Sequence, residues 1–285
     1  MSSVGRDRAG YRLTVPGKRR GFVLDWAGRS DVGRKRQVNE DSVLVGPPVF
    51  AVADGMGGHA AGDRASAAVI ERLAALAASS ERGYLDVTRL DGALNAAAAD
   101  IDEIAAHIPI GAGTTVTGVI LALVDGEPHF AVFNIGDSRV YLLVDDEFAR
   151  ITRDHSVVQE MVDAGLIDEL QAEGHPESNV ITRAVGFRES PRPDLWMLPM
   201  RPGMRLLLCS DGLTKEVDDR RLRHYLADGA SAAETADHLM DAALAAGGRD
   251  NVTVVVIDVA APVPRAARDA AGVVPRSGGN APLKG

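Results

Sequence analysis

Three aspartates beside strand-like apolar runs carry the clearest chemical signal in the sequence. Asp54 and Asp211 follow such runs, and Asp250 precedes one. A strand end holds a carboxylate rigidly while the side chain reaches solvent, and clustered carboxylates repel one another unless a cation neutralises them. The three aspartates therefore predict a site for hard divalent cations.

The segment 30–41 is polar, turn-forming and dense in charges of both signs. An arginine near carboxylates suits phosphate hydrolysis at a metal site, because a guanidinium grips phosphate oxygens in a fork while carboxylates hold the metals. A salt-bridged surface loop is the alternative interpretation of this segment taken alone.

Three glycines follow Asp54 within residues 55–58. They match neither the dinucleotide-binding pattern nor the P-loop pattern, and no lysine follows them. They either let backbone carbonyls approach a cation directly, which a Cβ would obstruct, or they only form a turn. Residue types alone leave both interpretations open.

The side chains that usually serve as nucleophiles in hydrolases are poorly placed in this sequence. Cys209 is the one cysteine, and the arginine of a Cys-x5-Arg phosphatase loop is replaced by Lys215. We interpret Cys209 as a small buried apolar residue. No Gly-x-Ser-x-Gly elbow is present. His59 and His155 lie near the motif segments, and a structural role is favoured for both.

Strand-like and helix-like segments alternate unevenly between residues 21 and 259. The predicted strands, rich in Val, Ile, Leu and Thr, are 22–26, 43–45, 49–53, 114–124, 128–134, 139–144, 204–209 and 252–258. The predicted helices, rich in Ala and Leu, are 62–79, 91–107, 156–164 and 231–246. Short turns between consecutive strands indicate antiparallel pairing. The grouping favours an α+β fold over a doubly wound parallel sheet.

Composition narrows the class of protein further. The 285 residues carry a net charge of −9, and both ends are basic, so the acidic body argues against a nucleic-acid partner. No apolar run is long enough for a membrane span, and one cysteine fits a reducing cytoplasm. We expect a cytoplasmic monomer with one domain over 21–259, a flexible basic segment over 1–20 and a disordered Ala/Pro/Gly-rich tail over 260–285.

Seven motifs, taken in order, resemble those of the metal-dependent protein phosphatases of the PP2C (PPM) family, especially the bacterial single-domain type. They are Asp31-x-Gly33-x-x-Arg36-x-x-Asn39-Glu40-Asp41, Asp54-Gly55-Met56-Gly57-Gly58-His59, Gly113-Thr114-Thr115, Gly136-Asp137-Ser138-Arg139, Thr152-x-Asp154-His155-Ser156, Ser210-Asp211-Gly212-Leu213 and Asp250-Asn251-Val252-Thr253. The resemblance implies a four-layer α-β-β-α sandwich, in which helix pairs flank two antiparallel sheets. It also implies a mobile flap beside the site at about 155–190.

The resemblance further implies a centre of two Mn²⁺ or Mg²⁺ ions at one edge of the sandwich. Asp54 would bridge both ions, and the carbonyl of Gly55 would help to hold the first. Asp211 and Asp250 would hold the second. In bacterial members a third, weaker ion is held by the aspartates that match Asp137 and Asp211.

Three further residues receive catalytic roles from the resemblance. Arg36 would bind the substrate phosphate, while Glu40 and Asp41 would act through metal-bound waters. Animal members carry a histidine directly after the Asp-Gly pair, where this chain has Met56. The proton donor is therefore open between a metal-bound water and His59.

The implied activity is hydrolysis of phosphoserine and phosphothreonine in proteins by a metal-activated water, without a phosphoenzyme. Phosphorylated proteins, and the serine/threonine kinases that produce them, are the expected partners. One alternative is a catalytically inactive member that binds phosphoproteins as a regulator, although none of its metal carboxylates is missing. A partner-switching phosphatase is less favoured, because the sequence shows no sensor domain and because it contains the long flap segment.

Overall fold

The apolar runs of the sequence form the strands of two sheets. A computed structural model describes residues 2–18, 21–57, 61–80, 82–109 and 111–261. The tail that we expected to be disordered therefore lies outside the described residues from position 262 onward.

Every strand and helix that the sequence predicts is confirmed, with the predicted strand 114–124 divided in two. The strands are β1 (Ser3–Gly5), β2 (Arg8–Thr14), β3 (Gly21–Asp31), β4 (Asp41–Val45), β5 (Val49–Gly57), β6 (Ala112–Thr114), β7 (Val116–Val124), β8 (Glu127–Ile135), β9 (Arg139–Val144), β10 (Glu147–Arg150), β11 (Val185–Gly186), β12 (Asp194–Pro199), β13 (Arg205–Cys209) and β14 (Val252–Ala260). The helices are α1 (Gly62–Ala78), α2 (Leu90–Ile104), α3 (Val157–Asp163), α4 (Glu169–Glu173), α5 (Asp211–Thr214), α6 (Asp219–Ala227) and α7 (Ala232–Ala246), and a 3₁₀ turn at Val87–Arg89 precedes α2.

The strands pair into an eight-stranded sheet and a six-stranded sheet. The first has the order β1-β4-β5-β7-β8-β12, with β6 attached to β5 and β11 attached to β6. The second has the order β10-β9-β13-β14-β3-β2. The pairings are antiparallel apart from that of β1 with β4, which is parallel. This one pair departs from the two fully antiparallel sheets that we expected.

Strand β14 shows how the two sheets and the helices form layers. Its residues alternate between two cores, as successive strand side chains must. Val254 and Val256 pack under α7, whereas Val255 and Ile257 pack between the sheets. On the other side, α1 and α2 cover the eight-stranded sheet with residues such as Leu73. The result is the expected α-β-β-α sandwich.

The N-terminal segment is a correction to the sequence prediction. Residues 1–20 were expected to be flexible, yet β1 pairs with β4 and β2 pairs with β3. Tyr11 and Leu13 alternate with exposed Arg12 along β2, and Leu13 is only 2% exposed. Tyr11 also makes an edge contact with Trp26 at 5.5 Å between ring centroids. The high arginine content of this segment drew attention away from its alternating apolar residues, which the sheet buries.

The segment 155–190 lies over one end of the sandwich and contains α3 and α4. Its ends are fastened to the body, since β11 pairs with β6 and the His155 amide donates to the Gly136 carbonyl at 2.9 Å. Within the segment, Ser156 bridges to Ile181. His155 Nε2 lies 3.1 Å from the carboxylate of Asp194 in β12. That this segment acts as a mobile flap stays a prediction. Among the described residues, no helix has the length and apolar character needed to cross a membrane.

Candidate functional site

The predicted carboxylates gather at one edge of the sandwich because strand ends from both sheets meet there. Asp54 in β5 lies directly across the ladder from Asp41 in β4. Asp211 begins α5 just after β13, and Asp250 lies just before β14. Because β13 and β14 are antiparallel neighbours, the end of one and the start of the other lie side by side.

A cleft of about 1250 Å³ opens over this edge. It is lined by all but one of the predicted site residues, namely Arg36, Glu40, Asp54, Gly55, Asp137, Asp211 and Asp250. The segment 155–190 forms its opposite wall through Ser156, Val158 and Asn179. The remaining predicted residue, Asp41, is fully buried beneath the wall.

Two glycines allow the backbone to close around the cleft. A Cβ on Gly55 would collide with the backbone of Gly62, and one on Gly212 would collide with the carbonyl oxygen of Asn251. The Gly55 amide donates to the Glu40 carbonyl at 3.2 Å. The glycines of the Asp-Gly pairs therefore serve close backbone packing, which brings Asp54 next to Glu40 and Asp211 next to Asp250.

Asn251 stands in the last of the seven motifs, but no role was assigned to it from the sequence. Its amide nitrogen donates to the carbonyls of Val32 and Val38, each at 3.0 Å. Its side-chain oxygen accepts from the Glu40 amide at 2.8 Å. Asn251 thus fastens the loop that carries Arg36 and Glu40 to the strand end that carries Asp250. The signal in the sequence was its place directly after Asp250 in that motif.

Asp41 is held by hydroxyl groups rather than by solvent. Ser210 Oγ and Thr253 Oγ1 donate to its Oδ2 at 2.9 and 2.6 Å. Among the described residues its Oδ1 is buried with no hydrogen-bond partner. Burial raises the pKa of Asp41 to about 7, and the charges of Asp211 and Asp250 add to the shift against the hydroxyl donors. Its predicted action through metal-bound waters stays a prediction, since it lies below the cleft surface.

The cleft carboxylates raise one another's affinity for protons. Burial is the main cause that raises the pKa of Asp54 well above its ordinary value, and the neighbouring charges of Asp41 and Asp211 follow. Burial and then Asp211 raise the pKa of Asp137 to about 8. The pKa of Glu40 is also raised, again chiefly by burial. Crowded carboxylates of this kind bind a cation readily, because the cation removes their mutual repulsion.

Two basic side chains of the chain lie among these carboxylates. Arg36 grips Asp250 in a fork, with Nε 2.8 Å from Oδ1 and Nη2 3.0 Å from Oδ2. Lys215 Nζ lies 2.5 Å from Asp211 Oδ2 and 3.4 Å from Asp250 Oδ2. In the described part of the chain, no three acidic, histidine or cysteine side chains are arranged closely enough to form a ready-made metal site.

The donor set nevertheless fits hard divalent cations. It consists of carboxylate and carbonyl oxygens, the ligands that Mg²⁺ and Mn²⁺ prefer. Asp211 Oδ1 is buried and has no hydrogen-bond partner within the described ranges, so one face of this carboxylate is available to a cation. Asp54 lies across the ladder from Asp41 and lines the same cleft as Asp211 and Asp250.

The excluded nucleophiles are placed as the sequence indicated. Cys209 is fully buried in β13, and burial raises the pKa of its thiol to about 12. His155 is 6% exposed and accepts a hydrogen bond from the Gly136 amide at 3.1 Å, which fits a structural role. His59 lies outside the described residues.

Comparisons with known proteins identify the family. The family model described as Protein phosphatase 2C matches residues 28–246. The chain therefore belongs to the protein phosphatase 2C family, as its motifs indicated.

Individual relatives agree with this assignment. The serine/threonine protein phosphatase PstP of Mycobacterium tuberculosis (strain CDC 1551 / Oshkosh) is 44% identical over 243 residues, which are 84% of this chain and 45% of PstP. The serine/threonine phosphatase stp of Listeria innocua is 34% identical over 241 residues, which are 81% of this chain and 94% of stp. The chain thus spans about half the length of the curated mycobacterial relative.

A solved structure shares the fold. It is the catalytic domain of serine threonine protein phosphatase PstP in complex with two manganese ions. The similarity has a TM-score of 0.75 with 42% sequence identity, over 84% of this chain and 99% of that domain. The α-β-β-α arrangement described above is therefore the fold of this relative.

Proposed function

We propose that this chain is a metal-dependent protein phosphatase that removes phosphate from phosphoserine and phosphothreonine. The observation that carries the proposal is the cleft at the sandwich edge, which brings Asp54, Asp211 and Asp250 together with Arg36. Carboxylates and a forked guanidinium are the two components that hydrolysis of a phosphate ester at a metal site requires. The manganese ions of the solved relative support the same chemistry.

Asp54, the Gly55 carbonyl, Asp211 and Asp250 are the residues that would hold two Mn²⁺ or Mg²⁺ ions. When bound, such ions would supply an activated water near neutral pH and would neutralise the charge of the phosphate. No side-chain nucleophile is then needed. This agrees with the burial of Cys209, which keeps its thiol out of the cleft.

Arg36 is the residue that would bind the substrate phosphate. Its side chain is 50% exposed and reaches the cleft from the loop that Asn251 fastens. A phosphate can replace Asp250 as the partner of its fork, because both present paired oxygens to the guanidinium. Arg36 then stabilises the charge that spreads over the equatorial phosphate oxygens in the transition state.

Asp41 beneath the cleft and Glu40 in its wall would hold this arrangement in place. Asp41 lies across the ladder from Asp54 and accepts hydroxyl hydrogen bonds from the strand ends that carry Asp211 and Asp250. Glu40 lies in the cleft wall beside Gly55. Both would orient water in the site. Met56, which also lines the cleft, has no proton to give.

The substrates would be phosphorylated proteins, produced by serine/threonine kinases. The wall formed by 155–190 carries exposed apolar residues, with Leu166 at 73% and Leu170 at 78% exposure, on which a polypeptide can pack. The names of the mycobacterial and Listeria relatives support this substrate class. The single free cysteine, Cys209, supports a cytoplasmic location, and we expect a monomer.

Hydrolysis of p-nitrophenyl phosphate and of a phosphothreonine peptide, with Mn²⁺, with Mg²⁺ and with chelator, tests the proposal. We expect turnover of both substrates with either metal and none with chelator. Turnover that survives complete metal removal would contradict the mechanism. Phosphopeptide binding without turnover under every metal condition would support the inactive regulator instead.

A further inference from the structure

His155 joins the segment 155–190 to the turn that carries Asp137. Its amide donates to the Gly136 carbonyl at 2.9 Å, and its ring nitrogen Nδ1 accepts from the Gly136 amide at 3.1 Å. Both backbone polar groups of the residue before Asp137 are therefore bound by one histidine. The side chain of His155 is 5% exposed, so solvent has little access to these contacts.

The contact with Gly136 determines which ring nitrogen of His155 carries the proton. A neutral imidazole has one donor nitrogen and one acceptor nitrogen. Because Nδ1 accepts from the Gly136 amide, the proton must be on Nε2. Nε2 lies 3.1 Å from Asp194 Oδ2, which accepts the hydrogen bond from this proton. Asp194 thus stabilises the tautomer of His155 that can hold Gly136.

Asp194 also binds the other end of the segment 155–190. Arg183 Nη1 donates to Asp194 Oδ1 at 2.9 Å, and the amide of Thr182 donates to the His155 carbonyl at 2.8 Å. Arg183 Nη1 lies 3.3 Å from His155 Nε2, and since both nitrogens carry protons, each donates to the carboxylate. Residues from both ends of the segment therefore converge on one side chain of β12.

The turn that carries Asp137 has a second support on the side of Asp54. Ser138 Oγ lies 2.8 Å from Thr115 Oγ1, which accepts from the Asp54 amide at 3.2 Å. The turn is thus held against the strand of Asp54 on one side and by His155 on the other, and Asp137 lines the cleft. A change in the ring of His155 would therefore shift Asp137 relative to Asp54.

We infer that Asp194 is a positioning residue, which orients His155 so that the Gly136 amide, and with it Asp137, stays in place at the cleft. Asp194 does not line the cleft itself and acts through His155 and the turn. Its effect on metal binding rests on the proposed function. One side chain then determines both how the segment 155–190 is attached and where a cleft carboxylate lies.

Amide hydrogen exchange of the metal-free protein tests the inference without reference to activity. In Asp194→Ala the Gly136 amide should exchange about five- to tenfold faster, because one hydrogen bond is weakened. This change should exceed any change at Val132, in the middle of β8. Asp100→Ala is the matched control, because Asp100 pairs with Arg72 and is 35% exposed against 38% for Asp194. It should leave the Gly136 amide unchanged. Equal acceleration at Gly136 and Val132, or none at Gly136, would overturn the inference.

Long-range ¹H–¹⁵N spectra of the imidazole rings report the tautomer of His155, whose signals His155→Gln identifies by their loss. We expect the Nε2-protonated tautomer in the wild type and a mixture of tautomers in Asp194→Ala. Arg183→Met removes the ion pair but keeps the hydrogen bond from His155 to Asp194, so it should retain the wild-type tautomer and a protected Gly136 amide. Equal effects of Arg183→Met and Asp194→Ala would show that Asp194 only fastens the segment.

Metal-dependent hydrolysis of p-nitrophenyl phosphate separates this inference from the proposed function. Asp194→Ala should raise the Mn²⁺ concentration for half-maximal turnover by about three- to tenfold, at or below the usual effect of replacing an outer partner of a metal ligand. KM at saturating Mn²⁺ should change little. Faster Gly136 exchange with an unchanged Mn²⁺ dependence would overturn the positioning of Asp137. Absence of turnover in the wild type with every metal would overturn the proposed function, whereas the exchange and tautomer results would still decide the role of Asp194.

Discussion

Arg36 and Asp250 form a two-pronged ion pair, with the guanidinium nitrogens 2.8 and 3.0 Å from the two carboxylate oxygens. The residue proposed to bind phosphate is thus paired with a residue proposed to bind metal. Arg36 can exchange Asp250 for a phosphate group, and Asp250 can exchange Arg36 for a metal ion. Substrate binding and metal binding are therefore linked through one contact.

Arg36→Ala should raise KM by at least about tenfold, because a charge-assisted fork to phosphate is lost. The Mn²⁺ concentration for half-maximal activity should stay the same or fall, because Asp250 loses a competing cation. Both quantities come from initial rates at varied substrate and varied metal. Arg36→Lys, which keeps the charge and loses the fork, should recover only part of the effect. Weaker metal binding in Arg36→Ala would mean that Arg36 holds the site together instead.

Asp54→Asn and Asp211→Asn should each lower kcat by at least about 100-fold. This is a larger decrease than is usual when a residue that only hydrogen-bonds to a metal ligand is replaced. Each change keeps the shape of the side chain but removes a negative charge that the cations require. Turnover at saturating Mn²⁺ measures the effect. Asp91→Asn, at an exposed position in the first turn of α2, is the matched control and should retain activity. Near-normal turnover of Asp54→Asn would exclude it as a metal ligand.

The metal-free protein should lose stability as pH rises above 6.5. The pKa values of Asp54 and Asp137 are raised, the latter to about 8, so between the unfolded and folded values the folded chain holds more protons than the unfolded one. Raising the pH through this range therefore favours unfolding. His155, whose pKa is lowered by burial, has the opposite effect, but only below its ordinary value of about 6.5.

Urea unfolding in chelator at several pH values measures this slope. We expect the free energy of unfolding to fall by about 1–2 kcal/mol between roughly pH 6.5 and 8.5. Asp137→Asn should flatten the slope because it removes one of the titrating groups. Saturating Mn²⁺ should also oppose the loss, since metals bind deprotonated carboxylates. Stability that increases with pH in the chelated protein would contradict this account.

Cys209 should react with thiol reagents only when the chain unfolds. Its side chain is fully buried, and burial raises its pKa to about 12. In the folded state the thiol is therefore inaccessible to the reagent and stays protonated. Because it is the single cysteine, the labelled fraction reports the unfolded fraction directly. Labelling in increasing urea should follow the loss of circular dichroism. One equivalent of rapid labelling in native buffer would show that β13 is accessible.

The sequence pointed to Asp54, Asp211 and Asp250 because each stands beside an apolar run, whereas Glu40, Asp41 and Asp137 came only from the family resemblance. An aspartate beside an apolar run is visible along the chain, and the antiparallel pairing of neighbouring strands brings the run ends together. Asn251 escaped prediction because its hydrogen bonds reach Val32 and Val38, more than 200 positions away. Contacts at that separation are set by the assembled sandwich and leave no local signature.

Lys215 and the N-terminal strands escaped prediction for different reasons. Lys215 lies four residues after Asp211, but α5 is only one turn long and its apolar periodicity is too short to be recognised. In β2 the charges of Arg8 and Arg12 outweighed the alternation of Tyr11 and Leu13. In both places the charged residues suggested a solvent-exposed segment. In the structure Lys215 forms an ion pair with Asp211, and the apolar residues between the arginines of β2 are buried.

The N-terminal segment covers an outer edge of each sheet. β1 lies along β4, which is buried throughout, and β2 lies along β3. Without residues 2–18, the backbone amides and carbonyls of β4 and β3 would face outward on the same side of the sandwich. Open edges of that kind recruit strands from other molecules. The segment therefore replaces the edges of β4 and β3 with a three-residue strand, β1, and an arginine-bearing strand, β2, both of which are poor templates for pairing with another molecule.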